Sequence, residues 1–152
     1  MKRIQSFNVD HDFIVEGMYI SRIDGDITTF DMRTRRPNKD DYMDSITMHS
    51  MEHMFATYIR NSEIGDKVIY FGPMGCRTGF YLLTRDLSPE TVLNATCKAL
   101  ENIVSHSGEM FGNTRKECGN YRELDLSKAK TEAKRFLDVL SSKNTDFKYP
   151  EA

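Results

Sequence analysis

The distribution of apolar residues divides the chain into short strands and longer helices. An apolar run predicts a strand over residues 13–23, and Asp24 with Gly25 is typical of a tight two-residue turn. Residues 27–32 are then predicted to return antiparallel. Two further short apolar runs, residues 68–71 and 80–83, predict strands on either side of a glycine-rich interruption.

The longest helical pattern covers residues 44–60, with Asp44 or Ser45 as the candidate N-cap. Its apolar positions follow the i, i+3, i+4, i+7 spacing of a core-facing stripe. The residues of this stripe are Met51, Met54, Phe55 and Tyr58. The side chains on the opposite side of this helix therefore face solvent, a cleft or a partner subunit.

Two more helices are predicted in the second half of the chain. One begins at an N-cap serine, Ser88, that a proline follows, and its expected core face is Leu93, Cys97, Leu100 and Val104. The other covers residues 127–141, and its expected inward residues are Ala129, Ala133, Phe136, Leu137 and Leu140. The polar tail, residues 141–152, is expected to fray or to lie on the surface. These elements predict the α+β class, with a mainly antiparallel β-sheet and helices packed on one face.

Length and charge limit the function classes. A chain of 152 residues is predicted to form a single domain over residues 1–152. A net charge of −2 gives no reason to expect nucleic acid or an anionic membrane as a partner. No apolar run reaches the roughly 18 residues of a membrane span, and the N-terminus has no apolar secretory core.

The three cysteines lie at wide spacings that do not indicate a disulfide framework. We therefore expect a reducing compartment, and hence a cytoplasmic protein. Cys97 falls on an apolar helix face, so we interpret it as a packing residue. Cys76 instead lies among glycines and a proline, in a loop that lets a thiol closely approach a ligand. We expect a functional role for Cys76.

The helix over residues 44–60 carries an H-x-x-E-H motif formed by His49, Glu52 and His53. Residues three and four apart are neighbours on a helix, so the two imidazoles can hold one divalent metal. The carboxylate between them can then move protons beside that metal. The alternative is a solvated helix face that carries two histidines without a metal.

A catalytic metal normally has three protein ligands and one open position, so two histidines need a third partner. Cys118, beside Gly119 in an irregular stretch, is the best remaining soft ligand. A His₂Cys set suits zinc or ferrous iron, either of which can polarise a carbonyl or hydroxyl group. Two alternatives are a small inverted-zincin-type metal hydrolase, in which Glu52 activates a metal-bound water, and a non-catalytic domain that a metal stabilises.

Five segments together carry a resemblance to a known family. They are Ser6-Phe7-x-x-Asp10-His11, Phe30-Asp31-Met32-Arg33 followed by Pro37-Asn38, His49-x-x-Glu52-His53, Pro73-Met74-Gly75-Cys76-x-Thr78-Gly79, and Cys118-Gly119. In this order and spacing they resemble the LuxS family, the S-ribosylhomocysteine lyases that make the precursor of autoinducer-2. The resemblance covers residues 6–119, and the combination is far more specific than the pentapeptide alone.

The resemblance implies a role for each matching residue. It implies that His49, His53 and Cys118 bind one divalent metal per subunit, a ferrous ion that zinc or cobalt can replace. It implies that Glu52 and Cys76 are the catalytic acid/base pair. The residues that it places in the substrate pocket are Ser6, His11 and Arg33.

The resemblance also implies a reaction and an assembly. The metal polarises the aldehyde of ring-opened S-ribosylhomocysteine, and Cys76 and Glu52 move protons so that the carbonyl migrates from C1 to C3. A β-elimination then releases homocysteine and leaves 4,5-dihydroxy-2,3-pentanedione. The family is expected to form a homodimer with two sites at the interface, each built from both subunits.

Overall fold

The computed structural model describes residues 1–151. Its strands are β1 (Gly17–Asp24), β2 (Ile27–Arg33), β3 (Val68–Pro73) and β4 (Gly79–Arg85). Its α-helices are α1 (Ser45–Arg60), α2 (Pro89–Val104) and α3 (Leu126–Ser141). Short 3-10 turns cover Gln5–Phe7 and Gly65–Lys67. The predicted α+β class is confirmed.

The sheet has the strand order β1-β2-β4-β3, and every neighbouring pair is antiparallel. This order places the end of β2 beside the turn between β3 and β4, because Arg33 pairs with Gly79. A Cβ on Gly79 would lie 2.6 Å from the backbone oxygen of Met32, so only glycine allows this close approach. The sheet thereby brings Arg33 next to the turn that carries Cys76.

Helix α1 forms where the apolar spacing predicted it. The Asp44 side chain caps it by accepting a hydrogen bond from the Thr47 amide. Three of the four predicted stripe residues, Met51, Met54 and Phe55, are fully buried. The fourth, Tyr58, is half-buried, and the core instead takes Ile59 from the last turn of the helix.

The predicted core face of α2 is confirmed in part. Leu100 is buried as expected, but Leu93, Cys97 and Val104 are only half-buried. The buried residues of α2 are Val92, Ala95, Thr96, Ala99, Leu100 and Ile103. Helix α2 packs against α3, which presents two buried alanines, and small side chains let two helices approach closely. The α3 prediction is closer, because Ala129, Ala133 and Phe136 are buried while Leu137 and Leu140 are half-buried.

Strand β1 begins at Gly17 and not at residue 13 as predicted. Ile14 is only 1% exposed, so it is a core residue that lies before the strand begins. The backbone oxygen of Val15 accepts a hydrogen bond from the Tyr19 hydroxyl at 2.7 Å. Its partner is thus a side chain and not the backbone of a neighbouring strand. Apolar periodicity reports burial, and here the burial extends beyond the strand.

The expectation of a frayed or surface tail was wrong for Phe147. Phe147 is only 5% exposed and packs edge-on against Phe30 at 6.3 Å between ring centroids. Its backbone oxygen accepts a hydrogen bond from the Ile20 amide at 2.8 Å, and the Thr145 hydroxyl donates to the Met18 oxygen at 3.3 Å. The tail therefore lies along the outer edge of β1 and completes the core there.

A search of residues 1–151 finds no helix with the length and apolar character needed to cross a membrane.

Candidate active-site residues

The structure brings His49, His53 and Cys118 together. The two histidines lie one turn apart on α1, with perpendicular rings whose centroids are 4.6 Å apart. Cys118 comes from the irregular loop between α2 and α3, and its sulfur lies 3.3 Å from His49 Nε2. One candidate ligand atom from each residue lies within 4.8 Å of the other two. This spacing suits three ligands of one ion.

Backbone carbonyls orient both imidazoles. His49 Nδ1 lies 2.9 Å from the Glu123 oxygen, and His53 Nδ1 lies 2.9 Å from the Phe111 oxygen. A carbonyl oxygen only accepts hydrogen bonds, so each Nδ1 carries the proton. Each Nε2 therefore keeps its lone pair, which is the tautomer that a metal needs.

Gly112 allows the loop to approach His53. Its φ of +66° lies in the left-handed region, and a Cβ there would lie 2.9 Å from His53 Nδ1. Nothing near Gly112 in the sequence indicates contact with α1, so this role could not be predicted from local pattern. Within the same loop, the Asn120 amide donates to the Cys118 sulfur at 3.4 Å, which helps to fix the position of the sulfur.

His106 fixes the start of this loop. Its Nδ1 accepts a hydrogen bond from the Tyr58 hydroxyl at 2.7 Å, and its Nε2 donates to the Glu109 oxygen at 2.8 Å. Its ring also packs edge-on against Phe111, whose backbone oxygen holds His53. These contacts link α1, the end of α2 and the loop that supports the cluster of His49, His53 and Cys118.

The donor set fits a divalent ion. Two neutral imidazoles and one thiolate suit zinc or ferrous iron, and three protein ligands leave a position for water or substrate. Glu52 lies next to His53 on α1 and is half-buried. Its carboxylate forms no hydrogen bond or ion pair with any residue between 1 and 151, so it is available to a substrate. The roles of these residues as ligands and acid/base stay predictions.

Cys76 lies in a second group of residues, at the turn between β3 and β4. The thiol is exposed, and its sulfur lies 3.0 Å from the Thr78 hydroxyl oxygen. The turn is closed by a hydrogen bond from the Met74 amide to the Gly79 oxygen, and Arg77 has a φ of 64°. This tight turn holds the thiol at the surface.

Arg33 lies behind the same turn and is only 3% exposed. Its Nε and Nη2 donate to the Asp31 carboxylate at 3.1 and 2.6 Å, and its Nη1 donates to Thr78 Oγ1 at 2.8 Å. Burial by itself lowers the pKa of Arg33, but the Asp31 carboxylate outweighs burial and holds that pKa above its usual value. The guanidinium is therefore committed to protein contacts, and its predicted contact with substrate stays a prediction.

Ser6 and His11 lie apart from both groups, on the N-terminal segment. Ser6 is half-buried in the first 3-10 turn, and His11 Nδ1 lies 2.9 Å from the Val9 oxygen. For residues 1–151, no hydrogen bond connects this segment to Cys76 or to the histidines of α1. One chain thus presents three separate groups of predicted site residues.

Residues 4–147 match the family model of S-ribosylhomocysteinase (LuxS). The chain belongs to the S-ribosylhomocysteinase (LuxS) family. A Finegoldia magna protein named S-ribosylhomocysteine lyase is 41% identical over 157 residues, which cover 99% of this chain and 100% of that protein. Proteins of the same name are 40% identical in Borreliella burgdorferi, over 99% of this chain and 100% of theirs, and 40% identical in Phocaeicola vulgatus, over 98% and 97%.

Membership of the LuxS family confirms the resemblance seen in the sequence. It makes the chain an enzyme, a carbon–sulfur lyase, as the sequence predicted. Metal dependence agrees with the cluster of His49, His53 and Cys118. Neither the family match nor these relatives favour the small metal hydrolase.

Proposed function

We propose that this enzyme cleaves S-ribosylhomocysteine to homocysteine and 4,5-dihydroxy-2,3-pentanedione, the precursor of autoinducer-2. The observation that carries the proposal is the His49, His53 and Cys118 cluster with an unpartnered Glu52 beside it, in a chain of the LuxS family. A metal site with a free carboxylate at its rim suits repeated proton transfer next to a carbonyl.

The proposed metal site uses Nε2 of His49, Nε2 of His53 and the Cys118 sulfur. We propose one ion per subunit, with Fe²⁺ as the native metal and Zn²⁺ or Co²⁺ as substitutes, because a His₂Cys set suits each of these borderline ions. When bound, the ion supplies a Lewis acid that makes the proton next to the substrate carbonyl acidic. The Phe111 and Glu123 carbonyls keep both imidazoles in the tautomer that this binding needs.

Proton transfer falls to Glu52 and Cys76. In each isomerisation step, one of them removes a proton from the carbon beside the carbonyl, and a proton returns to the former carbonyl carbon. Two such steps move the carbonyl from C1 through C2 to C3. Removal of the C4 proton then breaks the C5–S bond, and homocysteine leaves as a thiolate that takes up a proton. The remaining enol tautomerises to the pentanedione.

Substrate binding is proposed for Ser6, His11 and Arg33. The Ser6 hydroxyl forms no side-chain hydrogen bond within residues 1–151, and the Nε2 of His11 is equally uncommitted. Both groups are suited to the hydroxyls of a sugar. Arg33 lies one hydrogen bond from Thr78 and two from the Cys76 sulfur, so its charge acts close to the reacting atoms.

We further propose a homodimer with two sites at its interface, in the cytoplasm. Within one chain, no hydrogen bond between the described residues links Cys76 to the group of Glu52 and the histidines. The N-terminal segment also exposes four large apolar side chains: Met1, Ile4, Phe7 and Phe13. A second copy would cover such a surface and bring the separate groups together. The free thiols of Cys76 and Cys118 suit a reducing compartment.

The direct test measures release of free thiol from S-ribosylhomocysteine by ferrous-loaded protein prepared without oxygen. Glu52→Gln and Cys76→Ala should each lower kcat by roughly a thousandfold or more, because proton transfer is lost. Their metal content should equal that of the unsubstituted protein, and Cys97→Ala should keep full activity. No thiol release from folded, metal-loaded protein would contradict the proposal.

The dimer has its own test. Glu52→Gln and Cys76→Ala chains are mixed under conditions that exchange subunits. If each site takes Glu52 from one chain and Cys76 from the other, half of the dimers are mixed and each has one intact site, so about a quarter of full activity returns. Activity that stays at background after complete exchange would place both residues on the same chain.

A further inference from the structure

A continuous chain of hydrogen bonds runs from the C-terminal segment to the proposed catalytic thiol. The Tyr149 hydroxyl donates to Asp31 Oδ2 at 2.7 Å, and the Asp31 carboxylate accepts two hydrogen bonds from Arg33. Arg33 Nη1 donates to Thr78 Oγ1 at 2.8 Å, and Thr78 Oγ1 lies 3.0 Å from the Cys76 sulfur. The middle of this chain is sealed from water, because Asp31, Arg33 and Thr78 are at most 3% exposed.

The direction of the last hydrogen bond follows from its neighbours. The Thr78 hydroxyl accepts from Arg33, which can only donate. Its own proton then needs an acceptor, and within residues 1–151 the Cys76 sulfur is the acceptor that it reaches. Since a buried donor without a partner is costly, the hydroxyl donates to the sulfur. This contact stabilises negative charge on the sulfur and fixes the direction in which the sulfur points.

The other end of the chain is held equally firmly. The Tyr149 ring stacks on Tyr19 at 4.9 Å between centroids, and the neighbouring Phe147 is buried. Burial, together with the negative charge of Asp31, raises the pKa of Tyr149 well above its usual value. Its hydroxyl therefore keeps its proton and donates to Asp31 throughout the physiological pH range. With that bond, Asp31 is fixed for its two contacts with Arg33.

We propose that Thr78 is a positioning residue that holds the Cys76 sulfur for proton transfer, and that Tyr149 secures the Asp31 and Arg33 pair from which Thr78 takes its orientation. The inference rests on the proposed catalytic role of Cys76. It gives Tyr149, in the C-terminal tail, and the Thr78 hydroxyl a function in the reaction. A purely structural role for Thr78 would need only its backbone. The backbone oxygen of Thr78 already accepts hydrogen bonds from the Thr34 and Arg35 amides.

The experiment compares Thr78→Val, which removes the hydroxyl at nearly constant volume, with Thr78→Ser, which keeps the hydroxyl. Thr78→Val should lower kcat by roughly tenfold with KM and metal content unchanged, and Thr78→Ser should restore most of the loss. Tyr149→Phe should lower kcat by about threefold. In the double variant Thr78→Val/Tyr149→Phe, kcat should be no lower than in Thr78→Val alone, because both changes break one chain.

Thr84→Val is the matched control. Thr84 is also a buried threonine, within β4, but its hydroxyl has no hydrogen-bond partner among the described residues. Its replacement should leave kcat unchanged. Wild-type kcat in Thr78→Val, equal losses in the Ser and Val variants, or fully additive losses in the double variant would each overturn the proposal.

A second measurement needs no turnover. The rate at which iodoacetamide alkylates Cys76 is followed by mass spectrometry on the metal-loaded protein. Thr78→Val and Tyr149→Phe should slow this alkylation severalfold, because the sulfur anion loses its oriented donor. An unchanged rate in both would reject the inference. If the unsubstituted protein releases no thiol from S-ribosylhomocysteine, the proposed function fails, while alkylation still decides the positioning role. Should Thr78→Val not fold, Tyr149→Phe alone carries the same test.

Discussion

The Cys118 sulfur lies 3.3 Å from His49 Nε2, although 69 positions separate the two residues in the chain. Cys118→Ala should therefore weaken binding of Zn²⁺ or Co²⁺ by at least about a hundredfold, since even outer-shell partners contribute 10- to 100-fold. Competition with a chelating dye and the sulfur-to-cobalt absorption band measure this directly. Cys97→Ala is the control, because Cys97 lies on α2 and should not change the affinity. Full affinity in Cys118→Ala would remove Cys118 from the ligand set.

Gly112→Ala should lower metal affinity by roughly ten- to a hundredfold, because the new methyl group would push His53 from its carbonyl partner. Gly108→Ala provides the matched control: Gly108 also has a positive φ, of 105°, but nothing lies within 4 Å of its missing Cβ. Both variants should lose some stability from backbone strain. Equal metal affinities in the two would show that the contact with His53 is unimportant.

Phe147→Ala should reduce the free energy of unfolding by about 3 kcal/mol, as expected for loss of a buried aromatic ring. Urea denaturation of the metal-free protein measures the change. Lys148→Ala, at the exposed neighbouring position, should change stability by less than about 0.5 kcal/mol. A tail that frays in solution would give the same small value for both variants.

Asp44 gives a pH dependence of known sign. Hydrogen bonds from Lys128 and then from the Thr47 amide lower the pKa of Asp44 to about 2. Because the pKa is lower in the folded state, the ionised carboxylate stabilises the fold at pH values above the unfolded-state pKa, which is near 4. This stabilisation is lost as the pH falls towards 2. The side chain is 55% exposed, so solvent screening keeps the effect small.

Asp44→Asn keeps the helix cap but removes the charge, so it should be less stable than the unsubstituted protein at pH 7. This difference should shrink as the pH falls from 5 to 3, in urea titrations of the metal-free protein. A difference that stays constant over this range would assign the effect to the cap and not to the charge.

The parts of the structure that the sequence predicted well depend on local spacing. Met51, Met54 and Phe55 are buried on one side of α1, and His49 and His53 share the other, because a helix repeats every 3.6 residues. The turn residues Asp24 and Gly25 likewise predicted the antiparallel pair of β1 and β2. These features need no knowledge of distant residues.

The parts that it missed depend on contacts between distant residues. The carbonyl oxygens of Phe111 and Glu123 hold the two histidines, but a backbone oxygen has no sequence signal. The role of Asp31 could not be predicted either, because its hydrogen bond with Tyr149 joins residues 118 positions apart. Phe147 lies in a polar segment, so its burial could not be predicted from its neighbours in the sequence. Its contact with Phe30 makes it part of the core.

The bonding of residues 145–147 along β1 also has a consequence for synthesis on the ribosome. Thr145 reaches Met18 across 127 positions, so β1 and its neighbours emerge long before the segment that covers their outer edge. An uncovered strand edge is a template for pairing with other chains. During translation, protection against aggregation at this edge therefore depends on how quickly this later segment docks, and not on how quickly the sheet itself forms.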